Sequence, residues 1–247
     1  PSAYTLDGTN TWVVADVDAR RAIVIDPGPA HPEHLRAIAD HIHRRDLVVD
    51  AIVLTHRHSD HSASARQAAA MLDTTTIRAL DPELRLGSEG LAGGDVIEVG
   101  ALELRIMHTP GHSSDSVSML LDADAAVLSG DTVLGRGTSV VSWPDGNLRD
   151  YLDSLARLRD ALVAHSVQCV LPGHGPRLDD AVGVIDAYVE HRWIRLDMVR
   201  EAVAAGAVCV DDVVAVVYAD SPPQVLQAAA QSVRAQLDYL ASIDAAE

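Results

Sequence analysis

An α/β core closed by a helical tail is the fold class that this sequence predicts, on three observations. Short β-branched runs recur from Thr11 to Ser129, segments of helical period are interleaved among them, and from Leu148 onward helical period dominates. Gly and Pro cluster at the ends of the apolar runs, where turns are expected. The 247 residues suit one large domain, or one domain with a small appendage.

Thr11–Ala15 and Ala22–Asp26 read as strands, the second halted by Pro27-Gly28-Pro29. His34–Arg44 places Leu35, Ile38, Ala39 and Ile42 on one face, which predicts a helix. Val48–Thr55 is a continuous apolar run, as in a buried strand, and the Ala-rich stretch Ser62–Leu72 is helical. Strands are expected at Val96–Val99 and at Leu102–His108, where Leu102, Leu104 and Ile106 alternate. Ser116–Leu121 and Ala125–Ser129 form the next pair, around an acidic turn with Asp122 and Asp124. Leu148–Val163 is amphipathic, with Leu148, Tyr151, Leu152, Leu155, Leu158 and Leu162 on the helical period. Val167–Leu171 is a buried strand closed by Pro172-Gly173. Ala181–Ala205 is a long helix ended at Gly206, and Asp211–Val217 and Gln224–Leu240 give two more around Ser221-Pro222-Pro223.

Composition narrows the function classes. Hydrophobic residues make up 48% and charged residues 22%, ordinary globular usage that excludes a disordered or collagen-like chain. Apolar runs such as Val213–Tyr218 fall far short of the roughly 20 residues a membrane helix needs. No charged-then-apolar leader precedes the first strand, although the sequence begins at Pro1 without Met, and the expectation is a soluble cytoplasmic protein. Acids outnumber bases by 36 to 19, every base is Arg, and the net charge is −17. A nucleic-acid partner held by phosphate neutralisation is therefore disfavoured. The absence of Lys and Phe beside 28 Asp resembles the habit of a GC-rich or salt-adapted genome and carries no function. Cys169 and Cys209 lie in apolar stretches without CxxC spacing and are expected to be buried thiols.

The most informative stretch is Thr55-His56-Arg57-His58-Ser59-Asp60-His61, where a strand runs into a loop bearing three imidazoles and a carboxylate. An i, i+2 His pair in extended chain projects both rings to one side, and Asp60 and His61 follow where the chain turns to a second point. Imidazole and carboxylate suit a borderline cation such as Zn²⁺. Three single residues have matching contexts: His112 in Thr109-Pro110-Gly111-His112-Ser113, Asp131 in Ser129-Gly130-Asp131, and His174 in Pro172-Gly173-His174-Gly175. Each follows a predicted strand, where a sheet presents functional side chains on loops. Any one of them reads equally as a turn residue, but four such clusters in one chain do not arise by coincidence.

His56-x-His58-x-Asp60-His61, then His112, Asp131 and His174, resemble the full metal-ligand series of the metallo-β-lactamase superfamily. The resemblance covers about residues 8–180 and implies a four-layer αββα sandwich with a dinuclear centre in a groove along one edge. Residues 1–180 would then form the catalytic domain and residues 181–247 a small C-terminal helical, winged-helix-like extension. It implies that His56, His58 and His112 hold one metal, that Asp60, His61 and His174 hold the other, and that Asp131 bridges them. Asp60 and Asp131 are the carboxylates it places in catalysis. The chain departs from the B1 and B2 lactamases, which use a Cys ligand, and from the B3 lactamases, which lack the bridging Asp. Gly8-Thr9-Asn10-Thr11-Trp12, Gly111-His112-Ser113-Ser114-Asp115-Ser116, Ser129-Gly130-Asp131-Thr132-Val133-Leu134-Gly135, Pro172-Gly173-His174-Gly175-Pro176 and Tyr188-Val189-Glu190-His191-Arg192 resemble the β-lactamase-like protein 2 subfamily. Ser116 stands where many members have His, a departure expected to alter the pocket rim.

What the resemblance implies chemically is a metal-dependent hydrolase. Two ions sharing Asp131 would share a water and lower its pKa from 15.7 toward about 7, giving a dinuclear-metal-bound hydroxide at neutral pH. Two Zn²⁺ ions are expected, with Fe and Mn accepting the same ligands. The leading substrate is a small-molecule ester or thioester. The alternative is a metal-dependent endoribonuclease or phosphodiesterase of the same fold, restrained by the absence of Lys and by the 42 residues between Asp131 and His174, too few for a large inserted domain. Asp26 is a candidate acceptor for an imidazole N–H, with a turn carboxylate the equal alternative, and Thr55 and Thr132 are candidates for similar work or for strand ends. His31, His34, His41, His43 and His165 read as solvated surface residues and His108 as structural. Tyr218 and Trp193 read as packing residues, and His191 and Arg192 as residues near the groove mouth.

Overall fold

The structure is a computed structural model and describes residues 5–245. Strands β1 (Trp12–Asp16), β2 (Arg21–Ile25), β3 (Val48–Val53) and β4 (Ile77–Arg78) form one sheet in that order, with β1 antiparallel to β2 and the rest parallel. A six-stranded sheet takes β5 (Val96–Val99), β6 (Leu102–His108), β7 (Val117–Leu121), β8 (Ala126–Gly130), β9 (Cys169–Pro172) and β10 (Leu178–Asp179) in sequence order. Only the β8–β9 pair in it is parallel, because α4 (Leu148–Ala164) fills the crossover between them.

Period-2 alternation assigns the faces. Ile23 and Ile25 of β2 join Ile106, Met119 and Leu128 in the core between the two sheets. Ala22 and Val24 on the opposite face pack with Leu35, Ile38 and Ile42 of α1 (Pro32–Arg44) and with Ala65 and Ala68 of α3 (Ala65–Met71). On the far side of the second sheet, Tyr151, Leu155, Leu158 and Leu162 of α4 cover Leu120, Val127 and Val170. The layers therefore run helix, sheet, sheet, helix. The tail consists of α5 (Ala181–Ala204), α6 (Val210–Val217) and α7 (Leu226–Asp244). Ala181, Ile185, Tyr188 and Leu196 of α5 belong to the α4 core, whereas Val199 and Ala202 pack with Val213, Val217 and Val233 in a separate small cluster. Among the described residues no strand follows β10, and no helix is long and apolar enough to cross a membrane.

Several expectations change. The helix expected over Ser62–Leu72 is two pieces, α2 (Ser59–Ser62) and α3, because the Ser64 hydroxyl donates to the carbonyls of Gly28 and Pro29 at 2.6 and 2.7 Å and breaks the helical run. β4 and β10 were not expected, since two residues carry no period. Cys169 is buried, but Cys209 is exposed at the N-cap of α6. Its apolar surroundings are a capping turn, in which Asp212 accepts the N–H groups of Val208 and Cys209. His34 is half-buried rather than solvated, its Nε2 lying 2.7 Å from Thr11 Oγ1.

Candidate metal centre

Four strand ends deliver the seven candidate donors to one place. β3 leads to His56 and His58, and the single turn of α2 swings Asp60 and His61 round. β6 leads through a turn to His112, β8 to Asp131, and β9 to His174. Two glycines permit the approach. A Cβ on Gly111 (φ +141°) would lie 2.3 Å from Tyr151 Cα, and one on Gly173 would lie 2.5 Å from Asp131 Oδ1 and 2.7 Å from His61 Cε1. The N-terminal loop is tied to the same edge, where the Asn10 side chain donates to the carbonyls of Pro172 and Gly175 at 3.0 and 2.7 Å.

The donors fall into three overlapping groups, His56 with His58 and His112, His56 with His61 and Asp131, and Asp60 with His61 and His174, each with its ligating atoms within 4.8 Å of one another. His58 Nδ1 lies 3.0 Å from His56 Nε2 and 2.9 Å from His112 Nε2. His61 Nε2 and His174 Nε2 are 3.2 Å apart, and Asp60 Oδ2 lies 3.2 Å from the latter. Asp131 stands between the groups, with Oδ1 3.3 Å from His61 Nε2 and Oδ2 3.4 Å from His174 Nε2 and 3.7 Å from His112 Nε2.

The outward bonds fix the tautomers. His112 Nδ1 faces the Val140 carbonyl at 2.7 Å and His174 Nδ1 faces the Gly8 carbonyl at 3.0 Å, so both Nδ1 atoms carry the proton and donate. Asp26 Oδ2 accepts from His61 Nδ1 at 2.8 Å and from the Thr55 hydroxyl at 2.6 Å. That hydroxyl in turn accepts from His56 Nδ1 at 3.0 Å. The Nε2 atoms of His56, His61, His112 and His174 are therefore the ring nitrogens turned inward. His61 Nε2 and His174 Nε2 at 3.2 Å have room for a proton or a cation between them, and a tetrahedral zinc at about 2.0–2.1 Å from nitrogen spaces its ligands by about 3.3 Å. Asp131 Oδ1 is buried with no hydrogen-bond partner. Inward ring nitrogens and carboxylates at these spacings, with one orphaned carboxylate oxygen, make a ligand set that fits divalent cations.

The electrostatics agree. Burial alone would raise the Asp131 carboxyl, but His61 and His174 outweigh it and hold Asp131 well below the usual carboxylate range. Burial would likewise lower His61 and His174, yet Asp131, with Asp26 or Asp60, holds His61 well above its ordinary value and His174 at about 9. His56 and His112, buried and beside other imidazoles, are pushed down, His112 to about 4. The cluster thus attracts positive charge at the carboxylates and resists protonation at the remaining rings, as a cation-binding set should.

A groove of about 420 Å³ opens over His58, Asp60, His112 and Asp131, walled by Val140, Trp143 and, from α7, Gln231. Of the secondary candidates, Asp26 and Thr55 act on the imidazoles as described. The Thr132 hydroxyl lies 3.2 Å from that of Thr109. Ser116 is buried behind the turn, bonded to Ser113 Oγ at 2.7 Å, and does not form the rim, because the turn folds it inward. His108 bonds the Ser114 carbonyl, and Trp193 and Tyr218 lie half in solvent against Tyr239 and Arg195. Neither His191 nor Arg192 lines this groove. The Val140 and Gly8 carbonyls, and Ser139 Oγ at 3.2 Å from His112 Nδ1, had no signal in the sequence, since any residue supplies a carbonyl.

Comparison with known proteins gives the same fold and family. The family model described as Metallo-beta-lactamase superfamily matches residues 4–174, through the last of the seven donors. The chain belongs to the metallo-β-lactamase superfamily. A second model, the Beta-lactamase associated winged helix domain, matches residues 209–243, within the helical tail. Among curated members, the Beta-lactamase-like protein 2 homolog of Caenorhabditis elegans is 31% identical over 255 residues, covering 97% of this chain and 81% of the relative. The Lactamase-like protein aptB of Emericella nidulans is 31% identical over 205 residues, covering 81% of this chain and 63% of the relative. Among solved structures of the superfamily, a metallo-beta-lactamase family protein of Thermus thermophilus superposes with a TM-score of 0.78 at 19% identity, covering 96% of this chain and 89% of its own. A further solved structure, of a protein in a di-iron-bound form, matches with a TM-score of 0.56 at 26% identity over 73% of this chain and 93% of its own.

Proposed function

We propose that this superfamily member is a metal-dependent hydrolase of small esters or thioesters, with two divalent ions held by the seven donors. His56, His58 and His112 would hold one ion, Asp60, His61 and His174 the other, and Asp131 would touch both. Zinc suits the set first, and iron and manganese accept the same ligands. Bound ions of this kind supply Lewis acidity and ionise water near neutral pH. The observation that carries the reading is the convergence of five imidazoles and two carboxylates beneath an open groove.

The chain's own residues supply the rest. Asp131, buried and held ionised, fixes the separation of the two histidine groups. Asp60 is the more accessible carboxylate, its side chain 30% exposed beneath the groove. Opposed by burial but favoured by His174 and His61, it stays ionised, so it accepts the hydrogen bond of the attacking water and takes its proton. As the water oxygen bonds to the acyl carbon, the C–O or C–S bond breaks and that proton passes to the departing alcohol or thiol. Val140 and Trp143 give the groove apolar walls against which an acyl chain packs.

The test is a side-by-side assay of metal-loaded protein on an acyl thioester, a nitrophenyl ester, bis-nitrophenyl phosphate and short single-stranded RNA, with His58→Ala as control. Turnover of the ester and thioester, lost at least 100-fold in His58→Ala, is expected. Faster cleavage of the phosphodiester or of RNA would replace this reading with the nuclease one.

A further inference from the structure

A second cavity, of about 260 Å³, lies between the loop that follows Asp131 and the helical tail. It shares Leu134, Ser139 and Val140 with the groove over the metal centre, so the two spaces adjoin. Its walls are apolar at Leu134, Val140 and Ala229 and cationic at Arg192 and Arg195, with His191 between them. In a chain with 36 acids and 19 bases, no acidic side chain lines it among the described residues.

The guanidinium groups there lack counter-charge. Arg192 is 4% exposed, the one buried arginine among the described residues. It donates through Nη2 to the Ser139 carbonyl and lies 4.6 Å from the centroid of the Tyr151 ring, while its Nε is buried with no partner. Arg195 bonds the Val217 carbonyl at 3.0 Å and stacks on Tyr218. Among the described residues neither arginine is ion-paired, whereas Arg136, also on the wall, is exposed and paired with Asp7. His191 Nδ1 is likewise buried without a partner. Burial first, then Arg192 and Arg195, push the His191 imidazole down to about 4, so it is neutral at pH 7 and offers hydrogen bonding in a positive field. Burying an unneutralised guanidinium is costly, and planar oxyanions are what a guanidinium binds best.

We infer that this cavity receives an anionic oxygen group, a carboxylate or a phosphate, on the part of the substrate remote from the scissile bond. The inference deepens the hydrolase reading and rests on it for the word substrate: the ester or thioester cleaved is one whose acyl portion carries its own acid group. Position supports the link. Arg192 holds the Ser139 carbonyl, and the hydroxyl of the same serine donates to the Asp131 carbonyl and lies 3.2 Å from His112 Nδ1. An anion on Arg192 therefore sits one residue from the groove, and Arg192 is a positioning residue for the loop beneath it.

Two measurements on the full metal-loaded chain test this. The first compares kcat/KM for the aryl monoester of adipate with that for the aryl ester of hexanoate, which differ by a carboxylate at the far end. Wild type is expected to prefer the adipate ester at least tenfold, and Arg195→Gln to lower that ratio at least tenfold. The second is titration calorimetry with adipate and with phenyl phosphate, needing no turnover, on wild type and Arg195→Gln before and after metal removal. Binding of either anion that survives metal removal and weakens at least tenfold in Arg195→Gln upholds the site, and the tighter anion tells carboxylate from phosphate. Binding that vanishes with the metals, is unchanged in Arg195→Gln, or is absent for both anions overturns it. If calorimetry succeeds while neither ester is cleaved, the anion site stands and the hydrolase reading fails. Arg192→Met serves as a further variant only if its circular dichroism matches wild type, since it also holds Ser139.

Discussion

Asp26 Oδ2 lies 2.8 Å from His61 Nδ1, in a carboxylate that also takes the Thr55 hydroxyl and backbone N–H at 2.6 and 2.8 Å. One buried acid thereby orients His61 directly and His56 through Thr55, one ring in each histidine group. Asp26→Asn keeps the shape but turns one acceptor oxygen into a donor. Groups that orient metal-bound imidazoles in this way carry about 10–100-fold in metal affinity. Competition with a chromophoric chelator should show a loss in that range for Asp26→Asn; unchanged affinity would remove Asp26 from the account.

Metal removal should destabilise the fold, because a bound ion stabilises only the folded chain, in which the seven donors converge and Asp131 Oδ1 is buried without a hydrogen-bond partner. A ligand at about 1,000 times its Kd contributes about 4 kcal/mol, and about 2–4 °C of Tm accompanies each kcal/mol in a chain of this size. Exhaustive chelation is therefore expected to lower Tm by about 10 °C, reversibly on adding zinc. A thermal melt that ignores chelation would contradict the fit of the donor set.

Gly173→Ala places a methyl group 2.5 Å from Asp131 Oδ1 and 2.7 Å from His61 Cε1. The expected result is at least a 100-fold loss of ester hydrolysis and weakened metal binding, with the far-ultraviolet circular dichroism of wild type. Retained activity would mean that the donors do not approach as closely as described.

His191 gives a pH prediction. Its folded pKa of about 4 lies below the unfolded value of about 6.5, so the unfolded chain binds more protons between these values. The stability it contributes is present above pH 6.5 and is lost as pH falls toward 4. His191→Gln should therefore lose less stability than wild type over that window, by urea unfolding at each pH. Parallel curves would contradict a buried neutral imidazole.

The candidate donors and the scaffold were legible for different reasons. His56, His58, Asp60, His61, His112, Asp131 and His174 could be chosen from sequence because they stand directly after apolar runs, and strand ends are where loops present function. The sandwich followed from alternation in Ala22–Ile25 and from the period of α4, since each face is dictated by what it buries. The break at Ser64 was hidden because it depends on carbonyls 35 to 37 residues away. Exposure of Cys209 was hidden for a similar reason, because an apolar run looks the same whether it packs or caps a helix. The cationic cavity was the least legible of all, for it is assembled from a loop and from α5 and α7, whose residues gave no joint pattern.

The most direct test is an anomalous-diffraction map of the protein crystallised with zinc. Two peaks a few ångströms apart are expected, one among His56, His58 and His112, the other among Asp60, His61 and His174, with Asp131 touching both. A map with its peaks elsewhere, or none among these seven side chains, would contradict the account at its centre.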